Sequence, residues 1–178
     1  MKEINTGISL SWIIAIITFP GIIIHELAHK LLCDFSGVPV YKVRYFRLGN
    51  PPGYVIHGPV SRYWQALLIN TAPFTINTLI AIIMFALVIK VTEGTATYIL
   101  CWLGISIAMH SFPSNEDADG LWRHSKKAVW RNPLALIGFP IVGLIKLARV
   151  LSIIWFDLIY AIALLLLVYY IFNGNQLF

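Results

Sequence analysis

The sequence predicts an all-α membrane protein with about four transmembrane helices, one re-entrant or interfacial helix and a short β-hairpin at the membrane surface. Two observations carry this prediction. First, 58% of the 178 residues are hydrophobic and only 12% are charged, too little charge to cover a soluble domain of this length. Second, the apolar residues gather in runs long enough to cross a bilayer, with polar connections between them. The chain reads as one integral-membrane domain over residues 1–178.

Residues 8–32 form the first run, interrupted only by His25, Glu26, His29 and Lys30. Lys2 and Glu3 precede it and no small-residue cleavage site follows, so it is expected to be a retained helix. Pro20-Gly21 lies midway and predicts a kink. In residues 34–61, Gly, Pro, Tyr and basic residues dominate. Tyr41-Lys42-Val43-Arg44-Tyr45 alternates with period two, Asn50-Pro51-Pro52-Gly53 is turn chemistry, and Tyr54-Val55-Ile56-His57 returns as a second strand.

Residues 63–91 are the second expected span, interrupted by Pro73, and a turn at 92–94 leads to a third over 95–112. Residues 113–132 are polar, with Glu116, Asp117 and Asp119 ahead of Arg123, Lys126, Lys127 and Arg131. Ser114 is an expected N-cap for a helix through Trp122. Residues 133–150 are apolar, contain Pro140 and end in Lys146 and Arg149, which suits an interfacial or re-entrant helix, or a poor span. Residues 152–172 are the final span, with Asp157 alone charged. That carboxylate is expected to reach the surface or to pair with Lys146 or Arg149.

The formal net charge is +5, but no aromatic and basic stripe accompanies it, so nucleic acid is excluded as a partner. The basic residues instead fix an orientation. Lys42, Arg44, Arg47 and Arg62 lie between the first and second spans, and Arg123 to Arg149 between the third and last. If residues 133–150 do not cross, both groups share one side, which the positive-inside rule makes cytoplasmic, with both termini outside. Cys33 and Cys101 sit in or beside apolar runs and form neither a disulfide framework nor a CxxC site.

His25-Glu26-Leu27-Ala28-His29 is an HExxH string. Residues four apart on a helix point the same way, so His25 and His29 can hold one ion, and neutral imidazole suits Zn²⁺. Glu26 lies about a third of a turn round, placed to act on water as a base rather than as a ligand. Ionisable groups on a lipid-embedded helix cost about 2–3 kcal/mol or more each unless compensated, and a metal compensates them.

A catalytic zinc takes three protein ligands. The candidates for the third are His57, His110, His124, Glu116, Asp117 and Asp119. His57 and His124 lie in loops and are expected to be solvated. His110, near the end of the third span, suits either a hydrogen-bonded structural role or ligation. The acidic cluster is the best source, although acids after an N-cap also satisfy the helix dipole. Asn77 has two readings: a helix–helix hydrogen bond, or an amide aimed at the site to hold a substrate backbone or oxyanion.

Three places between residues 21 and 120 resemble the site-2 protease class of intramembrane zinc metallopeptidases. His25, Glu26 and His29 match its first motif. Ala72-Pro73-Phe74-Thr75-Ile76-Asn77 is similar to its Gly-Pro-x-x-Asn element, with one extra residue between Pro and Asn. Residues 110–120 occupy the place of the Asp-Gly element that supplies the third ligand. There Phe112-Pro113-Ser114-Asn115-Glu116-Asp117 looks like a variant of small prokaryotic members, while Asp119-Gly120 copies the Asp-Gly pair. The resemblance implies a divergent member with Glu26 as the catalytic residue. It implies one Zn²⁺ on His25, His29 and Asp117, with Asp119 as the fallback third ligand. It also implies cleavage of membrane-spanning or membrane-proximal protein or peptide substrates near the cytoplasmic face. The period-two strand is placed either to pair with an extended substrate or to seal the bundle. Two alternatives use the same residues: a metal-binding or transport protein, and a catalytically silent relative that binds membrane partners. The sequence shows neither an inverted repeat nor a mid-bilayer polar line, and Glu26 is intact, which favours the hydrolase.

Overall fold

The computed structural model of the chain describes residues 10–91 and 94–173. They form seven α-helices and one two-stranded antiparallel sheet. The start of the first run at residue 8, most of the turn at 92–94 and both termini lie outside the described residues.

The first apolar run is two helices, α1 (Leu10–Ile17) and α2 (Phe19–Ser36). Pro20 falls in the first turn of α2, where its missing N–H is harmless. The Thr18 hydroxyl donates back to the Ile14 carbonyl at 2.7 Å. The expected kink is therefore a break at Thr18, just before the proline. Gly37 ends α2 in the left-handed conformation, φ 71°, and its N–H caps the last turn.

The hairpin forms as the alternation predicts. β1 (Val40–Arg44) pairs with β2 (Tyr54–His57), placing Val43 opposite Val55 and Arg44 opposite Tyr54. α3 (Tyr63–Lys90) then runs unbroken through Pro73. α4 (Thr95–Met109) follows, then α5 (Asn115–Ala128), which Ser114 caps as expected. α5 continues two turns past Trp122 because Leu121 and Ser125 remain buried, and Lys126 and Lys127 in its last turn complement the helix dipole. α6 (Ala135–Leu151) passes through a 3-10 turn, Ser152–Ile154, into α7 (Phe156–Asn173).

The core is organised along α3. Towards its C-terminus, Ala81 and Phe85 pack with Ile107 and Ala108 of α4 and with Ala161, Leu164 and Val168 of α7. At its N-terminus, Tyr63 packs with Ala118 and Leu121 of α5 and Val142 and Ile145 of α6. So α6 and α7 lie along successive stretches of one helix. α5 and α6 return on each other, tied at one end by the Lys146–Asp119 ion pair, 2.9 Å.

Among the described residues, three helical stretches are long and apolar enough to cross a membrane: Tyr63–Lys90, Ala135–Ile154 and Phe156–Asn173. Two expected spans, the first and the third, fall short of that standard. α2 carries Glu26, Lys30 and Asp34. α4 has 15 residues, about 22 Å of helix against a hydrocarbon core of roughly 30 Å. The stretch expected to be an interfacial or re-entrant helix, or a poor span, is among the three by length and composition. Leu79, Ile83, Leu144, Leu166 and Tyr170 face outward, an apolar exterior that suits lipid.

Candidate functional site

Helical spacing brings His25 and His29 onto one face of α2, with ring centroids 5.0 Å apart. Each ring is held by a backbone carbonyl that has lost its helical partner. His29 Nδ1 lies 2.9 Å from the carbonyl oxygen of Ile69, and Pro73, four residues on, has no N–H to bond that oxygen. His25 Nδ1 lies 2.9 Å from the carbonyl oxygen of His110, at the end of α4, where the last carbonyls have no helical donors. A carbonyl only accepts, so both Nδ1 atoms carry a hydrogen, and in the neutral form of each ring Nε2 keeps a lone pair.

Those lone pairs meet a carboxylate. Asp117 Oδ1 is 3.4 Å from His29 Nε2 and Asp117 Oδ2 is 4.0 Å from His25 Nε2. Asp117 is the N3 residue of α5 and closes a capping box: the Ser114 N–H and hydroxyl each donate to Oδ2 at 2.7 Å, and the Asp117 N–H donates to Ser114 Oγ at 3.1 Å. Both Ser114 donors can bond only to an acceptor, which favours the ionised form of Asp117. It is a carboxylate at neutral pH.

This donor set fits a metal ion. One ligand atom from each of His25, His29 and Asp117 lies within 4.8 Å of the others. Around a tetrahedral ion with bonds of roughly 2.0–2.1 Å, ligand atoms stand about 3.3 Å apart. Two lone pairs and an anionic oxygen facing one another repel, and a cation between them relieves the repulsion. Fixing each imidazole through its other nitrogen is also how metal-binding histidines are ordinarily oriented.

The other candidate acids and histidines stand outside this ligand set, although Glu116, His57 and His110 line the same cavity. Asp119 turns away and pairs with Lys146 at 2.9 Å. His124 Nδ1 bonds the Gly120 carbonyl at 2.9 Å within α5. His57 Nδ1 bonds the Gly58 carbonyl at 2.8 Å, and its ring faces the cavity. His110 Nε2 meets the Thr18 hydroxyl at 2.8 Å. Asn77 is wholly buried. Its amide nitrogen donates among the carbonyls of Gly21 (3.3 Å), Ile107 (3.4 Å) and His110 (3.0 Å), joining α2, α3 and α4. It reaches the site only through the His110 carbonyl that also holds His25.

Glu26 opens onto a cavity of about 600 Å³, whose wall includes His25, His29, Asp117, Gly53 and Arg149. An apolar groove of about 560 Å³ between α3, α6 and α7 adjoins it and shares Phe112. Sequence reasoning did not single out Ile69, Arg149 or Gly53 for the site. Only Ile69 had a signal: it stands four residues before a proline in an apolar helix.

No protein-family model matches the chain, and neither does any curated protein or solved structure. The chemistry of the site therefore rests on its own geometry: two imidazoles and a carboxylate converging on a point, and a separate carboxylate, Glu26, in the same cavity.

Proposed function

We propose that the chain is a membrane-embedded zinc endopeptidase that hydrolyses peptide bonds of membrane-spanning or membrane-proximal substrates. The observation that carries the reading is the convergence of His25, His29 and Asp117 while Glu26 stays outside the ligand set. His25, His29 and Asp117 would hold the ion. Bound zinc supplies Lewis acidity, polarising a carbonyl and acidifying water. Glu26 takes a proton from water as its oxygen adds to the peptide carbonyl carbon. It then returns that proton to the amine nitrogen as the C–N bond breaks. Asp117 and the two Nδ1 contacts keep the ligand atoms still throughout, which limits reorganisation during the reaction.

The arrangement of α6 and α7 supports a finer membrane reading. Because the two lie along successive stretches of α3, we read them as one traverse, with α5 and α6 as a re-entrant hairpin and four traverses in all. Arg62 precedes Tyr63, and Ser125, beside Lys126 and Lys127, lies 3.4 Å from the Tyr63 hydroxyl. These basic residues share one end of the bundle, the cytoplasmic end by the positive-inside rule. Ile69, which holds His29, is six residues into α3, about 9 Å along its axis, so the metal site lies near that face and within reach of water. The free edges of the hairpin suit pairing with an extended substrate.

The test is cleavage of an apolar helical peptide by the purified protein in detergent. Wild type should cut it, and Glu26→Gln should lower kcat by roughly 10²–10⁴-fold. Equal cleavage by the two proteins would remove Glu26 from the chemistry and this reading with it.

A further inference from the structure

The three residues of the HExxH string that face the cavity are not held alike. His25 and His29 are each fixed by a hydrogen bond. Among the described residues, no hydrogen bond holds the Glu26 carboxylate. What touches it is the tip of the hairpin. A Cβ placed on Gly53 would stand 2.7 Å from Glu26 Cγ, 2.9 Å from Oε1 and 3.1 Å from Cδ. Carbon atoms in good contact stand about 3.5–4.0 Å apart. Only a hydrogen fits between the backbone at residue 53 and this side chain.

The tip that carries Gly53 is itself fastened on two sides. The Arg47 N–H donates to the Pro52 carbonyl at 2.7 Å. The Arg47 guanidinium donates to the carbonyls of Pro51 and Asn50 at 2.9 and 3.1 Å and lies 5.1 Å from the centre of the Tyr54 ring. Phe46 packs against Phe19 at the start of α2, and Phe19 against Trp102 of α4, both at 5.9 Å between ring centres. The loop is thus braced internally by Arg47 and docked on the helices by Phe46.

We infer that Gly53 is a positioning residue for Glu26: the braced hairpin tip lays bare backbone against the Glu26 side chain and so selects the rotamer in which its carboxylate faces the reacting atoms. This rests on the peptidase reading for its consequence in catalysis, but the contact itself does not. Gly53 touches Glu26 and acts through it. A methyl group at residue 53 must displace Glu26 or lift the tip, and either change misplaces the base while leaving His25, His29 and Asp117 in position.

The experiment is a double-mutant cycle between Gly53→Ala and Glu26→Asp, with zinc content, kcat and KM measured for each protein on one apolar peptide. Gly53→Ala should lower kcat about tenfold or more, with KM and zinc within about twofold of wild type. Glu26→Asp withdraws the carboxylate by one methylene, so it should cost less in the Gly53→Ala background than in wild type. Wild-type kcat in Gly53→Ala, or equal costs of Glu26→Asp in both backgrounds, would overturn the inference. Arg47→Ala covers the case in which Gly53→Ala does not fold, since it loosens the tip without adding atoms. Carbodiimide labelling of Glu26, read by mass spectrometry, should be faster in Arg47→Ala than in wild type. An unchanged labelling rate would count against the contact. If wild type cleaves no peptide, the peptidase reading fails, and the labelling rates still decide whether the tip covers Glu26.

Discussion

His29 donates its Nδ1 hydrogen to the carbonyl oxygen of Ile69, 2.9 Å away, and that oxygen is available because Pro73 cannot donate to it. A proline inside a helix ordinarily costs about 3 kcal/mol, partly through the lost hydrogen bond. Here α3 runs on through Pro73, and a side chain from α2 takes the vacant acceptor. The helix defect thereby sets the tautomer and ring orientation of a candidate metal ligand. Pro73 itself is buried and is not among the metal-binding residues.

Pro73→Ala restores a backbone N–H that competes for the Ile69 carbonyl. We expect zinc affinity to fall by roughly 10–100-fold, the range for loss of a hydrogen bond behind a metal-binding histidine. Thermal stability should stay level or rise, because alanine is the better helix former. Chelator-competition titration and a thermal melt check the two halves separately.

Asp117 and Asp119 should separate cleanly. Asp117→Ala removes both an anionic ligand atom and half of the capping box, so zinc is lost and the apo-protein is destabilised by about 1 kcal/mol. Asp117→Asn keeps most of the cap yet should still bind zinc weakly. Asp119→Ala breaks only a half-exposed ion pair with Lys146, worth under about 1 kcal/mol, and should leave zinc content unchanged. Metal analysis of the three purified variants decides this.

How much of this was legible in the sequence depends on the range of the interaction involved. The helical period alone placed His25 and His29 together, and the period-two alternation placed the hairpin. Ser114 was visible as a cap. The resemblance put Asp117 ahead of Asp119, whereas the helical period shows only that residues two apart on α5 point to different sides, not which side meets α2. The partners that separate them, the α2 histidines and Lys146, come from distant segments. The same holds for Asn77, whose three acceptors lie 30 to 56 residues away, and for Gly53, whose contact with Glu26 depends on how the hairpin docks. Residues 133–150 read as an interfacial or re-entrant helix, or a poor span, because Pro140 and two glycines interrupt them; α6 is helical through all three and packs Val142 and Ile145 against Tyr63.

Asn77→Ala should act on the bundle before it acts on the substrate. Loss of the amide frees the carbonyls of Gly21, Ile107 and His110, at a cost of about 1–2 kcal/mol for a buried interhelical contact. KM for a test peptide should stay within about twofold of wild type, since Asn77 is not exposed to the cavity. A thermal melt combined with steady-state kinetics checks both. A severalfold rise in KM without loss of stability would restore Asn77 to substrate binding.

The most direct test of the account is the zinc content of purified wild type, Glu26→Gln, His29→Ala and Asp117→Ala, measured beside their cleavage of one apolar peptide. The account predicts about one zinc per chain in wild type and in Glu26→Gln, with cleavage in wild type alone. It predicts little zinc in either ligand variant. Wild type without zinc, or Asp117→Ala with a full complement, would contradict it.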